Sequence, residues 1–206
     1  HIAVDDRSMQ ILFDEFLSLL NSSGSDSSNK SEYTRGEIGS YAVFSSWQRD
    51  NYLVEKISGR YSEYCKKINN SPKVHPFISK YTKHKSSALS LVRKKIQGKE
   101  YQCFKSLCGE LGSNGFLLSL SFYFILLRIV SGRCEQVLGV FVDERNSDLH
   151  KDSVGCFVNT LAVAVTINNE DSVGEVVKSL SSDIVENLRY RHIPFEELLR
   201  SVPLER

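Results

Sequence analysis

From Met9 onward apolar side chains fall at Met9, Leu12, Phe13, Phe16, Leu19 and Leu20. That is the three-and-four spacing of an amphipathic helix, with Ser8 as its expected N-cap. Positions 21–31 hold no apolar side chain, so a flexible surface loop is expected across residues 21–32. A second helical pattern begins near Ser45 and carries Trp47, Ile57, Tyr61, Tyr64 or Cys65, and Ile68. The run Asn69-Asn-Ser-Pro72 then stops it through turn chemistry and the missing proline N–H. Residues 72–83 read as extended connection and 87–92 alternate loosely like a strand. Residues 99–111 return to helical spacing at Tyr101, Phe104, Cys108 and Leu111, with Gly112 as the C-cap.

The most apolar stretch, residues 116–130, reads as a buried helix; interrupted by Ser119, Ser121 and Arg128, it is shorter than the roughly twenty residues a bilayer span requires. Residues 136–142 and 156–167 are β-branched, apolar runs of strand type. A helical stripe recurs at Val173, Val176, Val177, Leu180, Ile184 and Leu188, and Pro194 suits the start of a short last helix. Helices mixed with buried strands predict an α/β or α+β layered fold, with a mixed sheet and flanking helices.

Length and composition narrow the class further. The chain has 206 residues, 41% of them apolar and 10% aromatic, which excludes a disordered or collagen-like protein and predicts one large domain, or a lobe with an appendage. The expected organisation is a segment of residues 1–68 followed by a lobe of residues 69–206. Twenty-six Lys and Arg against twenty-five Asp and Glu leave a net charge of +1, too little for non-specific phosphate binding, so nucleic acid is not an expected partner. Five scattered cysteines include no C-x-x-C pair; a reducing cytoplasm is the expected compartment, and neither a metal site nor a membrane is expected. The chain opens on His1 with acidic residues close behind and reads as a fragment without a signal peptide.

Three segments could carry chemistry. His1-Ile-Ala-Val-Asp5 sets an imidazole and a carboxylate four residues apart just before a helix. By itself this is either a surface pair or a proton acceptor with an orienting anion. In Val154-Gly-Cys-Phe-Val-Asn-Thr160, an amide and a hydroxyl interrupt an apolar strand. Polar groups buried there must either satisfy local backbone or line a channel where a substrate supplies the partner. Arg191-His-Ile-Pro-Phe-Glu-Glu-Leu-Leu199 reads as a docking helix.

Taken together and in order, these segments resemble the condensation domains of nonribosomal peptide synthetases, relatives of chloramphenicol acetyltransferase. His1-Ile-Ala-Val-Asp5-Asp6 is similar to the motif H-H-x-x-x-D-G with His1 as the second histidine. Tyr41-Ala-Val-Phe-Ser-Ser-Trp47-Gln-Arg49 resembles Y-x-D-Y-A-x-W-Q-R. Residues 154–161 resemble I-G-x-F-V-N-T-L, and residues 190–196 resemble H-Q-D-x-P-F-E. Gly139-Val-Phe-Val-Asp-Glu-Arg145 is similar to G-x-P-x-x-x-R, with Phe141 in the proline position.

The resemblance implies an acetyltransferase-like lobe of a two-lobed domain with a tunnel between its halves. Donor and acceptor carrier proteins, among neighbouring synthetase domains, deliver substrates there on 4′-phosphopantetheine arms; no cofactor is bound directly. An acceptor amine attacks the donor's thioester carbonyl to give an amide. The catalytic residues implied are His1, which holds or deprotonates the amine, and Asp5, which shapes the motif loop through an ion pair for which Arg145 is the candidate. Asn159 and Ser8 are the candidate substrate-binding residues.

The pattern is departed from at Asp6, which replaces a glycine and would strain the turn if its backbone needed positive φ, and at Tyr190 and His192 in the last motif. His75, His84 and His150 share no metal-ligand spacing and read as solvated. The alternatives are a heterocyclising relative, whose D-x-x-x-x-D-x-x-S motif also fits Asp5 and Ser8 if the residue before His1 is aspartate, an ester-forming or product-releasing relative, and a non-catalytic docking domain of the same fold.

Overall fold

The computed structural model describes residues 3–22, 39–69, 92–145 and 150–201. Among them the elements are α1 (Asp6–Ser22), α2 (Tyr41–Ser58), α3 (Arg60–Asn69), α4 (Gly98–Glu110), α5 (Gly115–Ser131), β1 (Glu135–Asp143), β2 (Val158–Thr166), α6 (Val173–Asn187), a 3₁₀ turn (Leu188–Tyr190) and α7 (Phe195–Ser201). The strands form a two-stranded sheet. Glu144 N–H donates to Phe157 C=O at one end of the pair and Ile167 N–H to Cys134 C=O at the other, so the strands run antiparallel. Helices and sheet together make the mixed α/β class that the sequence predicts.

Several boundaries differ from expectation for identifiable reasons. The helix expected from Ser45 to Ile68 is two helices, because Gly59 adopts a left-handed conformation (φ 80°) that caps α2, and α3 begins at the next residue. α2 also begins four residues earlier, at Tyr41, where the Ser40 hydroxyl accepts from Ala42 N–H. The expected loop lies outside the described residues from residue 23 on, as do the 72–83 connection and residues 87–91 of the expected strand. Residues 92–97 form no helix or strand.

Two compact units divide the chain and interleave along it: residues 1–62, 140–161 and 190–198 in the first, and 63–139, 162–189 and 199–206 in the second. In the second unit, α5 packs against α4 and α6. α6 starts with a full capping box, Ser172 accepting from Glu175 N–H while the Glu175 carboxylate accepts from Ser172 N–H. Five consecutive buried residues, Leu161 to Val165, mark β2 as covered on both faces. The Tyr64 hydroxyl bridges the C=O and N–H of Ala162 at 3.1 Å each. The helix expected to be buried, α5, buries only Leu118, Ser121 and Phe124, while Phe116, Leu126, Ile129 and Val130 are exposed. A stripe apolar on every side does not reveal which face meets the core. No single helix among the described residues is long and apolar enough to cross a membrane.

In the first unit, α2 supplies a ring cluster. Phe44 lies 4.7 Å from Phe157 between ring centroids, Tyr41 meets Phe157 edge-on at 5.2 Å, and Trp47 stands edge-on to His192. His150 is part of this cluster instead of being solvated: its ring is 5.8 Å from Phe44 and 5.7 Å from Phe157, and its Nδ1 is buried without a hydrogen-bond partner among the described residues. His75 and His84 lie outside the described residues.

Candidate active-site clamp

The site lies wholly within the first unit. Its centre is Asp5, and the helix cap is Asp5 instead of Ser8. Asp5 precedes α1, its carbonyl accepts from Met9 N–H, and its Oδ1 accepts from Ser8 N–H at 2.8 Å. A carboxylate suits this position twice over, because it satisfies an orphan donor and faces the positive end of the helix dipole. Asp6 is the first helical residue, and no non-glycine among the described residues has positive φ, so the strain expected from losing the motif glycine is absent.

The Asp5 carboxylate is 3% exposed yet accepts four hydrogen bonds. Arg145 grips it through both oxygens, Nη1 to Oδ2 at 2.7 Å and Nη2 to Oδ1 at 2.9 Å. Phe157 N–H supplies the fourth bond, to Oδ2 at 2.9 Å. Burial alone would raise the carboxyl's pKa; the Arg145 and backbone hydrogen bonds outweigh it and hold Asp5 well below the usual carboxylate range. The guanidinium carbon of Arg145 lies 4.2 Å from the centroid of the Phe157 ring, and Asp143 accepts from Arg145 N–H and Nη1. Burial of Arg145 is likewise outweighed by Asp5 and Asp143, and its pKa rises. The structure thus brings together Asp5 and Arg145, 140 residues apart in sequence.

The two candidate substrate-binding residues are occupied within the chain. Ser8 is fully buried; its hydroxyl donates to Gly155 C=O at 2.7 Å and accepts from Gly155 N–H and Arg145 Nη2. Asn159 spends both amide hydrogens on Arg191 C=O and Ile193 C=O at 2.6 Å each, and its Oδ1 accepts from Thr160 and Phe195 N–H. In place of the expected substrate contact, the amide satisfies the backbone of the turn that leads into α7. That was one of the two readings its pattern left open. His1 lies outside the described residues.

Residues that sequence reasoning missed complete the clamp. Gly155 bonds Ser8 with both its backbone groups and accepts from Asp5 N–H at 3.3 Å. Its α-carbon sits against the Tyr41 ring, where an added Cβ would lie 2.4 Å from Cδ2. Glu144 is only 1% exposed, and neither of its carboxyl oxygens has a hydrogen-bond partner among the described residues. Burial pushes its pKa up to about 7, Arg191 opposing the rise and Asp143 adding to it. The period-two register of β1, which turns Gln136 and Val140 inward, extends to Glu144 and was the available signal.

Comparison with known proteins places this geometry in context. A family model described as Condensation domain matches residues 1–206. Phosphinothricin tripeptide synthetase PhsC of Streptomyces viridochromogenes is 29% identical over 169 residues, covering 81% of this chain and 16% of that protein. Bacitracin synthase 3 of Bacillus licheniformis is 25% identical over 171 residues, covering 81% of this chain and 3% of that protein. Among solved structures, the SgcC5 protein of Streptomyces globisporus aligns with a TM-score of 0.72 at 19% identity, over 98% of this chain and 45% of that one. The first condensation domain of the calcium-dependent antibiotic synthetase aligns at 0.66 with 17% identity, over 98% and 44%. At such identities the structural likeness establishes the fold. The chain spans less than half of each of these solved chains and a small part of each of these synthetases.

Proposed function

The chain belongs to the condensation-domain family, and from that premise we propose that it works within a longer synthetase to form an amide between a carrier-bound acyl or aminoacyl thioester and an amine acceptor. The acceptor nitrogen attacks the thioester carbonyl; a C–N bond forms, the C–S bond breaks, and the carrier thiol leaves with the proton the amine gives up. The phosphopantetheine arms belong to the substrates, and their carrier proteins are the proposed partners, in the cytoplasm. His1 is assigned to hold or deprotonate the attacking amine, which general base catalysis makes worth roughly 10²–10⁴-fold. Asp5 and Arg145 are positioning residues, and Ser8 and Asn159 hold the surrounding backbone.

The observation that carries this reading is the Asp5 clamp. A carboxylate with four hydrogen bonds, gripped by a buried guanidinium, fixes the start of α1, four positions along the sequence from the motif histidine. Asp6, in the motif's glycine position, sits as the first residue of α1 without positive φ, which supports an intact motif loop. The test is His1→Ala in the intact synthetase, following product on the downstream carrier by mass spectrometry. Product formation falls by roughly 100-fold or more on this reading; undiminished product formation overturns it.

A further inference from the structure

Glu144 pairs with Phe157 just beyond the ends of β1 and β2, in a rung that serves Asp5 from both sides. Its N–H donates to Phe157 C=O at 2.9 Å, while Phe157 N–H donates to Asp5 and the next residue, Arg145, grips the same carboxylate. The Glu144 side chain is turned inward and walled off, with no donor for either oxygen among the described residues. A charge in such a place is far costlier than a neutral acid, since nothing replaces the water it loses. The charged groups acting on it are Arg191, on the turn before α7, and Asp143, its strand neighbour, and they oppose one another. Arg191 makes no hydrogen bond to it, and the backbone C=O of Arg191 is already committed to the Asn159 amide.

We infer that Glu144 is a positioning residue that works as a neutral carboxylic acid: uncharged, it keeps the 144–157 rung closed, and losing its proton loosens that rung, and with it the hold of Phe157 and Arg145 on Asp5. The inference deepens the proposed function, on which it rests only for its consequence to turnover; the clamp itself is observable without catalysis. The direction follows from linkage. In the closed rung the carboxyl keeps its proton up to about 7, whereas in an opened, hydrated rung it titrates as an ordinary glutamic acid does, at 4.5. Opening therefore releases a proton between those limits, and the open fraction grows as pH rises through that window, levelling off above it.

The test is hydrogen exchange at the Phe157 amide together with carboxyl-carbon NMR of Glu144, on the full chain between pH 5 and 8. Exchange protection, corrected for the intrinsic rate, falls by up to about tenfold per pH unit until neutrality and then levels off, while the Glu144 carboxyl titrates near 7. Glu144→Gln, neutral and of the same shape, holds protection constant across the range. A Glu144 carboxyl titrating between 4 and 5, or protection that does not change with pH in the unmodified chain, overturns the inference, and neither result needs the variant to fold. Loss of protection with the expected profile in a synthetase whose product formation ignores His1 would leave the inference standing and sink the proposed function.

Discussion

Replacing Gly155 with alanine tests whether the motif loop is held by steric fit as well as by hydrogen bonds. The new methyl would lie 2.4 Å from Tyr41 Cδ2, 2.6 Å from Cγ and 3.1 Å from Phe157 Cε2. Phe157 is 1% exposed and cannot yield, so either the whole Tyr41 ring swings aside or the 153–157 backbone moves. Swinging the ring breaks the Tyr41 hydroxyl's 3.1 Å bond to Cys156 C=O and its edge contact with Phe157, about 1 kcal/mol for each. Moving the backbone strains the three bonds that Gly155 makes to Ser8 and Asp5. Either route, added to ordinary overpacking, costs about 2–4 kcal/mol. Urea unfolding of the two single variants and the double variant gives the measurement. Tyr41→Ala removes the obstructing ring, so the double variant is less destabilised than the sum of the singles by at least about 1 kcal/mol. A Gly155→Ala variant within about 0.5 kcal/mol of the parent, or strict additivity, refutes the reasoning.

Arg145→Lys keeps the charge but loses the two-pronged grip and the stacking on Phe157; stability falls by about 2 kcal/mol, and carboxyl-carbon NMR shows the Asp5 titration climbing toward the ordinary range. Because Asp5 stays ionised in the fold at pH values where the unfolded chain protonates it, the stability it contributes is present above about pH 4 and is lost as pH falls further. Urea midpoints of the parent and of Arg145→Lys therefore converge in acid, and parallel curves would count against the clamp. Ser172→Ala removes one half of the α6 capping box and costs about 1 kcal/mol in thermal unfolding; a variant as stable as the parent shows that the box contributes nothing.

What the sequence made legible is what local pattern encodes. The strands announced themselves by β-branched runs, α6 by its stripe, and the Asp5–Arg145 pair by two family motifs far apart in the chain. What stayed hidden depends on long-range packing. Gly59 reads as a tolerable glycine within a helical pattern until its left-handed φ is seen, so two helices looked like one. Ser8 and Asp5 are both good N-cap residues, and only the contacts of the 153–157 segment decide that the serine hydroxyl is needed for Gly155 and the carboxylate is left to cap. The polar pair in β2 had two readings that are identical in sequence, and the turn at 191–195 selects between them for Asn159. His150 looked solvated because nothing local shows that Phe44 and Phe157 meet beside it.

Asp5 being at once a helix cap and an ion-pair partner has a consequence that neither role alone would produce. As caps, asparagine and aspartate are nearly equivalent, so a pure capping role makes Asp5→Asn almost neutral. In the clamp the side chain must accept on both sides: Oδ1 faces Ser8 N–H and Arg145 Nη2, and Oδ2 faces Arg145 Nη1 and Phe157 N–H. An asparagine can keep its oxygen toward one pair only, and its NH₂ then points at two other donors within a buried site. The buried guanidinium loses its buried counter-ion and keeps only the half-exposed Asp143 as a charged partner, a loss of about 3–5 kcal/mol in all. Asp5→Asn is thus as damaging as Asp5→Ala in urea unfolding, or worse, because alanine leaves space where asparagine leaves a repulsion. An asparagine variant within about 1 kcal/mol of the parent would show that the ion pair contributes little and that the cap alone holds the motif.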